Sequence, residues 1–396
     1  MLQRNFFVLL LLSLTQVIGW GAVSVLPVLA PSVAAEFETS LPSVFLGTSV
    51  MYVAMGFAAP AAGRAFRAFG THHAMAVGAS LIGLGLGLLA LSPDVMAFWG
   101  AWTLTGLAGA LFLTTSAYAY IAEYAEARAR SLMGTLMLAT GLASSVFWPI
   151  TALLDRLTGW RGTVLVYSGA MVLIVCPLVW FGLPRTKTAV ATAARQKSGR
   201  QGTVFALLTT TVALNSFVTF GIQAVGIQLL QTMGMDLADA IAISSLLGLF
   251  KVGGRVIDLL GGPRWDGLAT GLVSGAMIPL GLLGIWIGGA GMLSMAGYLV
   301  LFGVGSGAFA VARVTMPLVF FEKADYAVAI ATIALPMNLI NALAPPVIAA
   351  LMIGIGAPAT FAILGGLSVA AFAVLLQLNR VRLRQKKGNR HEGGCY

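Results

Sequence analysis

The sequence predicts an all-α membrane protein that crosses a lipid bilayer twelve times, and three observations support this fold class. Hydrophobic residues make up 59% of the 396 residues and charged residues only 9%, whereas a soluble domain carries roughly 25% charged residues. Apolar stretches of about 20 residues, the length that a membrane helix needs, follow one another along the chain. Short polar segments separate these stretches. Lipid is therefore the natural solvent for most of the chain.

Twelve apolar stretches are predicted to be membrane spans. The first follows Arg4 and is too long for a signal peptide, and eleven further spans come after it. The predicted spans, numbered 1 to 12, are 6–34, 41–63, 73–92, 96–122, 131–154, 162–183, 203–230, 238–260, 267–289, 291–318, 327–353 and 358–380.

The distribution of Lys and Arg predicts the orientation of the chain. Of the 23 basic residues, three lie well inside predicted spans, two lie in loops on one side, and the remaining 18 lie in loops, in tails or at a span end on the other side. Membrane proteins concentrate basic residues on the cytoplasmic side. We therefore expect a multi-pass protein of the inner (plasma) membrane with both termini in the cytoplasm. The net charge of +10 then reflects topology and attraction to anionic lipid, and we expect no nucleic-acid partner.

A long basic connection divides the chain into two halves of six spans each. The predicted domains are an N-terminal six-helix bundle at 1–183, a cytoplasmic connection at 184–202, a C-terminal six-helix bundle at 203–383 and a basic cytoplasmic tail at 384–396. Parallel repeats of this kind place a substrate site near the middle of the membrane, where the halves meet.

A short repeat at the ends of spans 2 and 8 supports this division. The two copies lie at a constant offset of 191 positions, and they read Gly63-Arg64-Ala-Phe-Arg67-Ala-Phe-Gly70 and Gly254-Arg255-Val-Ile-Asp258-Leu-Leu-Gly261. Six plus six spans and this Gly-x-x-x-Asp-x-x-Gly pattern resemble the major facilitator superfamily. The resemblance implies two pseudo-symmetric six-helix halves and a cytoplasmic gate. The implied gate residues are Gly63, Arg64, Arg67, Gly70, Gly254, Asp258 and Gly261. The first copy departs from the pattern, because Arg67 stands where the family has Asp.

A narrower resemblance rests on three further motifs: Gly19-Trp20-Gly21 in span 1, Gly159-Trp160-Arg161 before span 6, and Gly305-x-Gly307 followed by Arg313 and Pro317 in span 10. These are similar to motifs of the bacterial relatives of monocarboxylate transporters, whose neighbourhood includes the oxalate–formate antiporters. In that branch, span 8 carries an Asp tied to proton coupling four residues before the Arg. Lys251 stands there in this chain. The resemblance therefore implies a carboxylate substrate with facilitated diffusion, anion exchange or a protonatable Lys251 in place of that Asp.

Three basic residues inside predicted spans are the strongest candidates for a binding site. Lys251 and Arg255 lie four residues apart in span 8 and share one helix face, and Arg313 lies in span 10. Charged residues at a helix centre cost ~2.5–3.5 kcal/mol on insertion scales, so they are functional candidates. All 13 acidic residues lie in loops or near span ends, so these cations predict an anion-binding site.

Each of these cations also has a structural alternative. Arg255 occupies the position of Arg64 in the repeat and is expected to act as a gate residue under that alternative. Lys251 can extend its side chain towards the cytoplasm. Arg313 can pair with Glu123 at the end of span 4. The polar residues Gln16, Trp20, Tyr118 and Gln223 lie in spans that the resemblance predicts to line the cavity, where they bind substrate or form helix–helix hydrogen bonds.

These observations favour a secondary active or facilitative transporter of a small organic anion, a carboxylate, working by alternating access. The first alternative is an exporter of an amphipathic or toxic compound, as in drug efflux, and the second is a transporter-like sensor. We expect no enzymatic activity, because no cluster of carboxylate, His or Cys side chains lies at a predicted midplane. We expect no cofactor, no metal and no ATP-binding loop. The expected partners of a monomeric protein are the substrate, lipid, and a proton or counter-anion.

Overall fold

The structure, a computed structural model, describes residues 2–125, 129–185, 202–261, 265–321 and 323–392, and these form helices and connections without a β-strand. The helices are Leu2–Val23, Leu26–Glu36, Leu41–Phe69, Thr71–Ala90, Val95–Phe112, Thr114–Ala125, Ala129–Gly141, Ala143–Ala170, Cys176–Gly182, Gly202–Thr232, Leu237–Gly261, Gly267–Gly288, Met292–Gly297, Gly305–Thr315, Pro317–Phe320 and Lys323–Glu392, with π-helical segments at Met171–Val175 and Tyr298–Val304. Most of the predicted connection at 184–202 and the last residues of the predicted tail lie outside the described residues.

Ten stretches of the described chain are long and apolar enough to cross a membrane. Eight correspond to single predicted spans, namely spans 1 to 4 and 7 to 10. The two longest, Leu132–Gly182 with 51 residues and Pro336–Arg384 with 49, each contain two. Within them the helix is interrupted at Gly159 and Gly356, where φ is +70° and +81°, values that glycine adopts readily. The twelve-span fold class is consistent with this arrangement.

Spans 1 and 4 each contain a break in the helix. Backbone carbonyls at these breaks accept hydrogen bonds from side chains of other helices. Span 1 changes from one helix to the next before Pro27, which has no backbone N–H to donate. The Ser24 carbonyl beside this break accepts a hydrogen bond from the Trp148 indole at 3.0 Å. Span 4 breaks at Leu113, whose backbone is extended. The preceding Phe112 carbonyl accepts the side-chain amide of Gln16 at 2.8 Å.

Glycines bring spans 8 and 10 into backbone contact. A Cβ atom on Gly254 would lie 2.1 Å from the Val304 carbonyl oxygen, and one on Gly307 would lie 1.9 Å from that of Lys251. Small residues permit such close approach of membrane helices. This contact fixes the height at which span 8 presents Lys251.

Among the described residues, hydrogen bonds join the two halves along three pairs of spans. Gln228 of span 7 donates to the Pro27 carbonyl of span 1 at 2.8 Å. Ser145 of span 5 donates to the Ser245 carbonyl of span 8 at 2.7 Å, and the Ser49 hydroxyl of span 2 bonds to a carbonyl of span 11. The central space between the halves is therefore bordered by spans 1, 2, 5, 7, 8 and 11.

Charged residues tie helix ends together on both faces of the bundle. We call the face that carries Glu36 the Glu36 side, and the opposite face, which carries Asp266, the Asp266 side. On the Glu36 side, Arg161 forms a 2.7 Å salt bridge to Glu36 and donates to the carbonyls of Ala90 and Ser92. Trp160 also donates to Glu36. These contacts join spans 1, 3 and 6.

On the Asp266 side, the Arg382 guanidinium at the end of span 12 contacts Asp266 at the start of span 9. The Ala269 backbone N–H donates to the same carboxylate at 2.9 Å. Partial burial raises the pKa of Asp266, but the Ala269 N–H and the Arg382 guanidinium outweigh this effect and hold the pKa below its ordinary value. The carboxylate is therefore stabilised in its ionised form.

Candidate ligand-binding site between the halves

An aromatic chamber lies between the two halves, close to the middle of the spans that form it. Spans 1, 2 and 5 of the first half and span 7 of the second half line it, and it has about 420 Å³ of empty space counted with its open side. The residues that define this central chamber are Met51, Tyr52, Trp148, Phe220, Gln223 and Ala224. The rings of Tyr52 and Phe220, from opposite halves, meet edge to face at 5.0 Å.

Lys251 connects the central chamber to a row of cations. We call Lys251, Arg255 and Arg313 the cation row. The Lys251 ammonium group donates to the side-chain oxygen of Gln223 at 3.1 Å, and Gln223 also lines the chamber. One turn further along span 8, Arg255 donates through Nη1 to the Met137 carbonyl of span 5 at 2.5 Å. The Nε of Arg255 is buried and has no hydrogen-bond partner among the described residues.

Arg313 and Tyr118 extend this row towards the Asp266 side. The nearest polar contact of Arg313 is a weak one, from Nη1 to the Met337 sulfur at 3.8 Å. Tyr118 of span 4 lies within electrostatic reach of both Arg255 and Arg313. The alternative pairing of Arg313 with Glu123 is not among the salt bridges of the described chain, and the Thr71 hydroxyl donates to Glu123 at 2.7 Å.

The three central cations have only neutral polar partners among the described residues. In that part of the chain, the salt bridges are Arg161–Glu36 and Arg382–Asp266, and both lie at helix ends. Lys251, Arg255 and Arg313 contact an amide oxygen, a backbone carbonyl and a thioether. Desolvated charges cost several kcal/mol unless a counter-charge compensates them. The site is therefore electrostatically complementary to an anion.

Gln16 and Trp20 make helix–helix hydrogen bonds. Gln16 is fully buried and donates to the Phe112 carbonyl, and the Trp20 indole donates to the Thr114 hydroxyl at 2.7 Å. Both contacts fasten span 1 to the break in span 4. Each residue thus donates one hydrogen bond to another helix, as in the structural alternative, while the buried side-chain oxygen of Gln16 has no partner among the described residues.

The predicted gate residues lie at the ends of spans 2 and 8 on the Asp266 side. Arg64 and Arg67 lie in the last turns of span 2 and are exposed, and Gly70, with φ of +81°, ends span 2. Asp258 accepts a hydrogen bond from Thr270 of span 9. Gly63 also lies in the last turns of span 2, Gly254 packs against span 10, and Gly261 is the last residue of its helix. The residues that follow at 262–264 lie outside the described chain.

Sequence reasoning missed the aromatic side chains of the central chamber. Tyr52, Trp148 and Phe220 are visible as aromatic residues inside apolar spans, but each lies in a different span. Their convergence depends on how the halves pack. The available signal was their common depth near the middle of spans 2, 5 and 7.

Twelve spans in two packed halves, with a polar and aromatic site between them, define a membrane transporter. The Major Facilitator Superfamily model matches residues 9–261, and the chain belongs to this family. Its members are membrane transporters and not enzymes. No curated protein matches the sequence.

Solved structures of the same fold carry different substrates. The chain is similar to a point mutant of the nucleoside transporter NupG, with a TM-score of 0.76 at 13% identity, over 95% of this chain and 99% of that chain. It is also similar to a bacterial homolog of the human lysosomal transporter Spinster in an inward-facing, occupied conformation, with a TM-score of 0.75, 14% identity and coverage of 95% and 97%. The human organic anion transporter MFSD10 (TETRAN) gives a TM-score of 0.66 at 16% identity, with coverage of 94% and 99%. At these identities the likeness shows the fold alone.

Proposed function

We propose that this member of the superfamily carries a small organic anion, a carboxylate, by alternating access, as a secondary active or facilitative transporter. The observation that supports this most strongly is the row formed by Lys251, Arg255 and Arg313. These cations have neutral partners only among the described contacts. An anion that enters this row supplies the missing counter-charge.

The two residues of span 8 offer complementary contacts for a carboxylate. Arg255 has a buried Nε without a partner among the described residues, and an arginine can bind a carboxylate through two parallel hydrogen bonds. Lys251 acts as a point charge with three donors, of which one is given to Gln223. We propose that Gln223 holds Lys251 in place and that Arg313 and Tyr118 add long-range attraction.

Binding at this place also suggests how substrate occupancy couples to movement of the halves. Arg255 belongs to the second half and donates to Met137 of the first, so the cation row lies on the moving interface. An anion here reduces the repulsion between Arg255 and Arg313, which interact electrostatically. In the proposed orientation the Asp266 side is cytoplasmic, in the plasma membrane, and the repeat with Arg67 and Asp258 forms the gate on that side.

The coupling reaction follows from the same charges. Lys251 stands where the monocarboxylate branch carries an Asp, and no carboxylate contacts it among the described residues. We therefore propose anion exchange or facilitated diffusion, with protonation of Lys251 as the route if transport is coupled to a proton.

Uptake into proteoliposomes tests this function. Radiolabelled monocarboxylates and dicarboxylates are offered with and without a pH gradient to the wild type, to Lys251→Met and to Arg156→Met. Arg156 is an exposed cation on the Glu36 side, away from the cation row, and serves as the matched control. We expect saturable uptake that Lys251→Met abolishes and Arg156→Met retains. If no carboxylate moves while lipophilic cations do, the anion proposal is wrong and export of amphipathic compounds replaces it.

A further inference from the structure

The central chamber and the cation row are neighbouring regions of different chemistry, linked by the hydrogen bond between Gln223 and Lys251. Gln223 is the residue common to both, since it lines the chamber and binds Lys251. The cationic end suits a carboxylate. The other end is bordered mainly by Met51, Tyr52, Trp148 and Phe220, which are apolar or aromatic, together with the small polar residues Ser24 and Thr48.

We infer that the substrate is a monocarboxylate carrying one ring-sized apolar group, of the size and polarity of benzoate. This inference rests on the proposed function and specifies its substrate class. The carboxylate lies at Lys251 and Arg255, and the ring occupies the central chamber against Phe220 and Tyr52. Ring edges and faces attract one another in the geometry that this aromatic pair already shows.

A second carboxylate does not suit the chamber. None of the side chains that line it is charged, and the Trp148 indole N–H is engaged with the Ser24 carbonyl. A dicarboxylate whose second carboxylate lay in the chamber would therefore place an unpaired charge against aromatic rings, which is unfavourable. The chamber thus argues against that mode of binding for a dicarboxylate such as succinate.

A carboxylate without an apolar group leaves the chamber unfilled. Acetate would contact the cations but would bury little apolar surface, and burial of apolar surface is the main driving force at such a site. Burial of a phenyl-sized group corresponds to roughly 10- to 100-fold in affinity. Benzoate is accordingly expected to bind more tightly than acetate by about this factor.

Contacts between the two halves on the Glu36 side close the chamber at that end. Gln228 donates to the Pro27 carbonyl there, and Ser49 of span 2 bonds to span 11. The ring therefore lies beside the Tyr52–Phe220 pair, whose two rings contact each other across the halves. Phe220 is the residue whose truncation changes substrate selectivity without touching the cations.

Competitive uptake in proteoliposomes tests this inference with benzoate, acetate, succinate and the neutral analogue benzamide. The wild type is compared with Phe220→Ala and with Phe57→Ala, where Phe57 is an aromatic residue of span 2 that is 82% exposed. We expect a preference for benzoate over acetate of roughly 10- to 100-fold, no transport of benzamide, and loss of most of the preference in Phe220→Ala only. Thermal melting of each variant in detergent confirms that it is folded.

The possible results separate this inference from the proposed function. If acetate or succinate is carried in a Lys251-dependent way and benzoate is not, the inference is overturned and the anion transporter stands. If Phe220→Ala and Phe57→Ala show the same preference as the wild type, the chamber does not select the substrate. If benzamide is carried as well as benzoate, the anion transporter itself fails.

Discussion

Arg161 and Arg255 are both partly buried arginines, but their surroundings differ. Arg161 on the Glu36 side has a carboxylate, two backbone carbonyls and the face of Trp160, whose ring centroid lies 4.5 Å from its guanidinium carbon. Arg255 has one backbone carbonyl and an Nε without a partner among the described residues. Arg161 therefore holds helix ends together, whereas Arg255 has hydrogen-bonding capacity left for a ligand.

Removal of a charge is expected to affect stability differently in the two regions. An ion pair with satisfied hydrogen bonds loses stability when either partner is removed, whereas replacement of an uncompensated buried charge by an apolar side chain is often neutral or stabilising. We therefore expect changes at the Glu36 side to affect stability and changes at the cation row to affect transport.

The largest effect is expected from Gly254→Ala, which disturbs the packing that positions the cation row. The added Cβ would lie 2.1 Å from the Val304 carbonyl oxygen, so spans 8 and 10 must separate, at a cost of about 1–3 kcal/mol. The melting temperature in detergent and the transport rate should both fall. Gly253→Ala is the matched control, because nothing lies within 4 Å of its added Cβ. Equal melting temperatures for the two variants would contradict this packing.

Arg255→Met is expected to give the next largest effect, and mainly on transport. A hydrogen bond to a charged group contributes about 1.5–3 kcal/mol, so KM for the carried anion should rise roughly 10- to 100-fold. The melting temperature should stay the same or rise, because an uncompensated charge is removed. A variant with unchanged KM and a lower melting temperature would make Arg255 a structural residue like Arg161.

Glu36→Gln is expected to show the reverse pattern, with a smaller effect. Glu36 and Arg161 are 44% and 33% exposed, so solvent screens their attraction and its loss should cost about 1 kcal/mol or less. KM for the anion should not change, because the pair lies far from the cation row along the spans. Melting and uptake assays run in parallel check the expected loss of stability and the unchanged KM. A changed KM would remove the distinction between the two regions.

The smallest effect is expected from the pH dependence at the Asp266 side. Since the pKa of Asp266 is lowered in the folded protein, its contribution is present above the ordinary Asp pKa and is lost as the pH falls through the folded-state value. The melting temperatures of the wild type and Asp266→Asn should therefore differ most near neutral pH and converge in acid. A difference that grows in acid would reverse the sign of this linkage.

The spans and the cations could be predicted because they depend on local properties of the sequence. Apolar length identifies the spans, and the polar segment that ends at Gly159 marks the turn that splits the longest stretch. A basic residue inside an apolar span is conspicuous wherever it points. The Gly305-x-Gly307 motif was visible too, but its contact with the backbone at Lys251 was not.

The partners of these residues could not be predicted, because they depend on the register between distant helices. Gln223 and Lys251 are 28 positions apart, and Glu36 and Arg161 are 125 apart. A shift of one residue in either helix turns the side chain by about 100° and breaks such a pair. For the same reason, the chamber formed by Tyr52, Trp148 and Phe220 appears only in three dimensions.

The most direct test of the central claim measures the electrostatic potential beside Lys251 without knowledge of the substrate. Gln223→Cys, in a background with Cys176 and Cys395 replaced by Ser, is labelled with a negatively and a positively charged methanethiosulfonate reagent, and both rates are normalised to those with a free thiol. An uncompensated cation row predicts that the negative reagent reacts faster and that Lys251→Met lowers this preference. Faster reaction of the positive reagent, or a preference unaffected by Lys251→Met, would contradict the account.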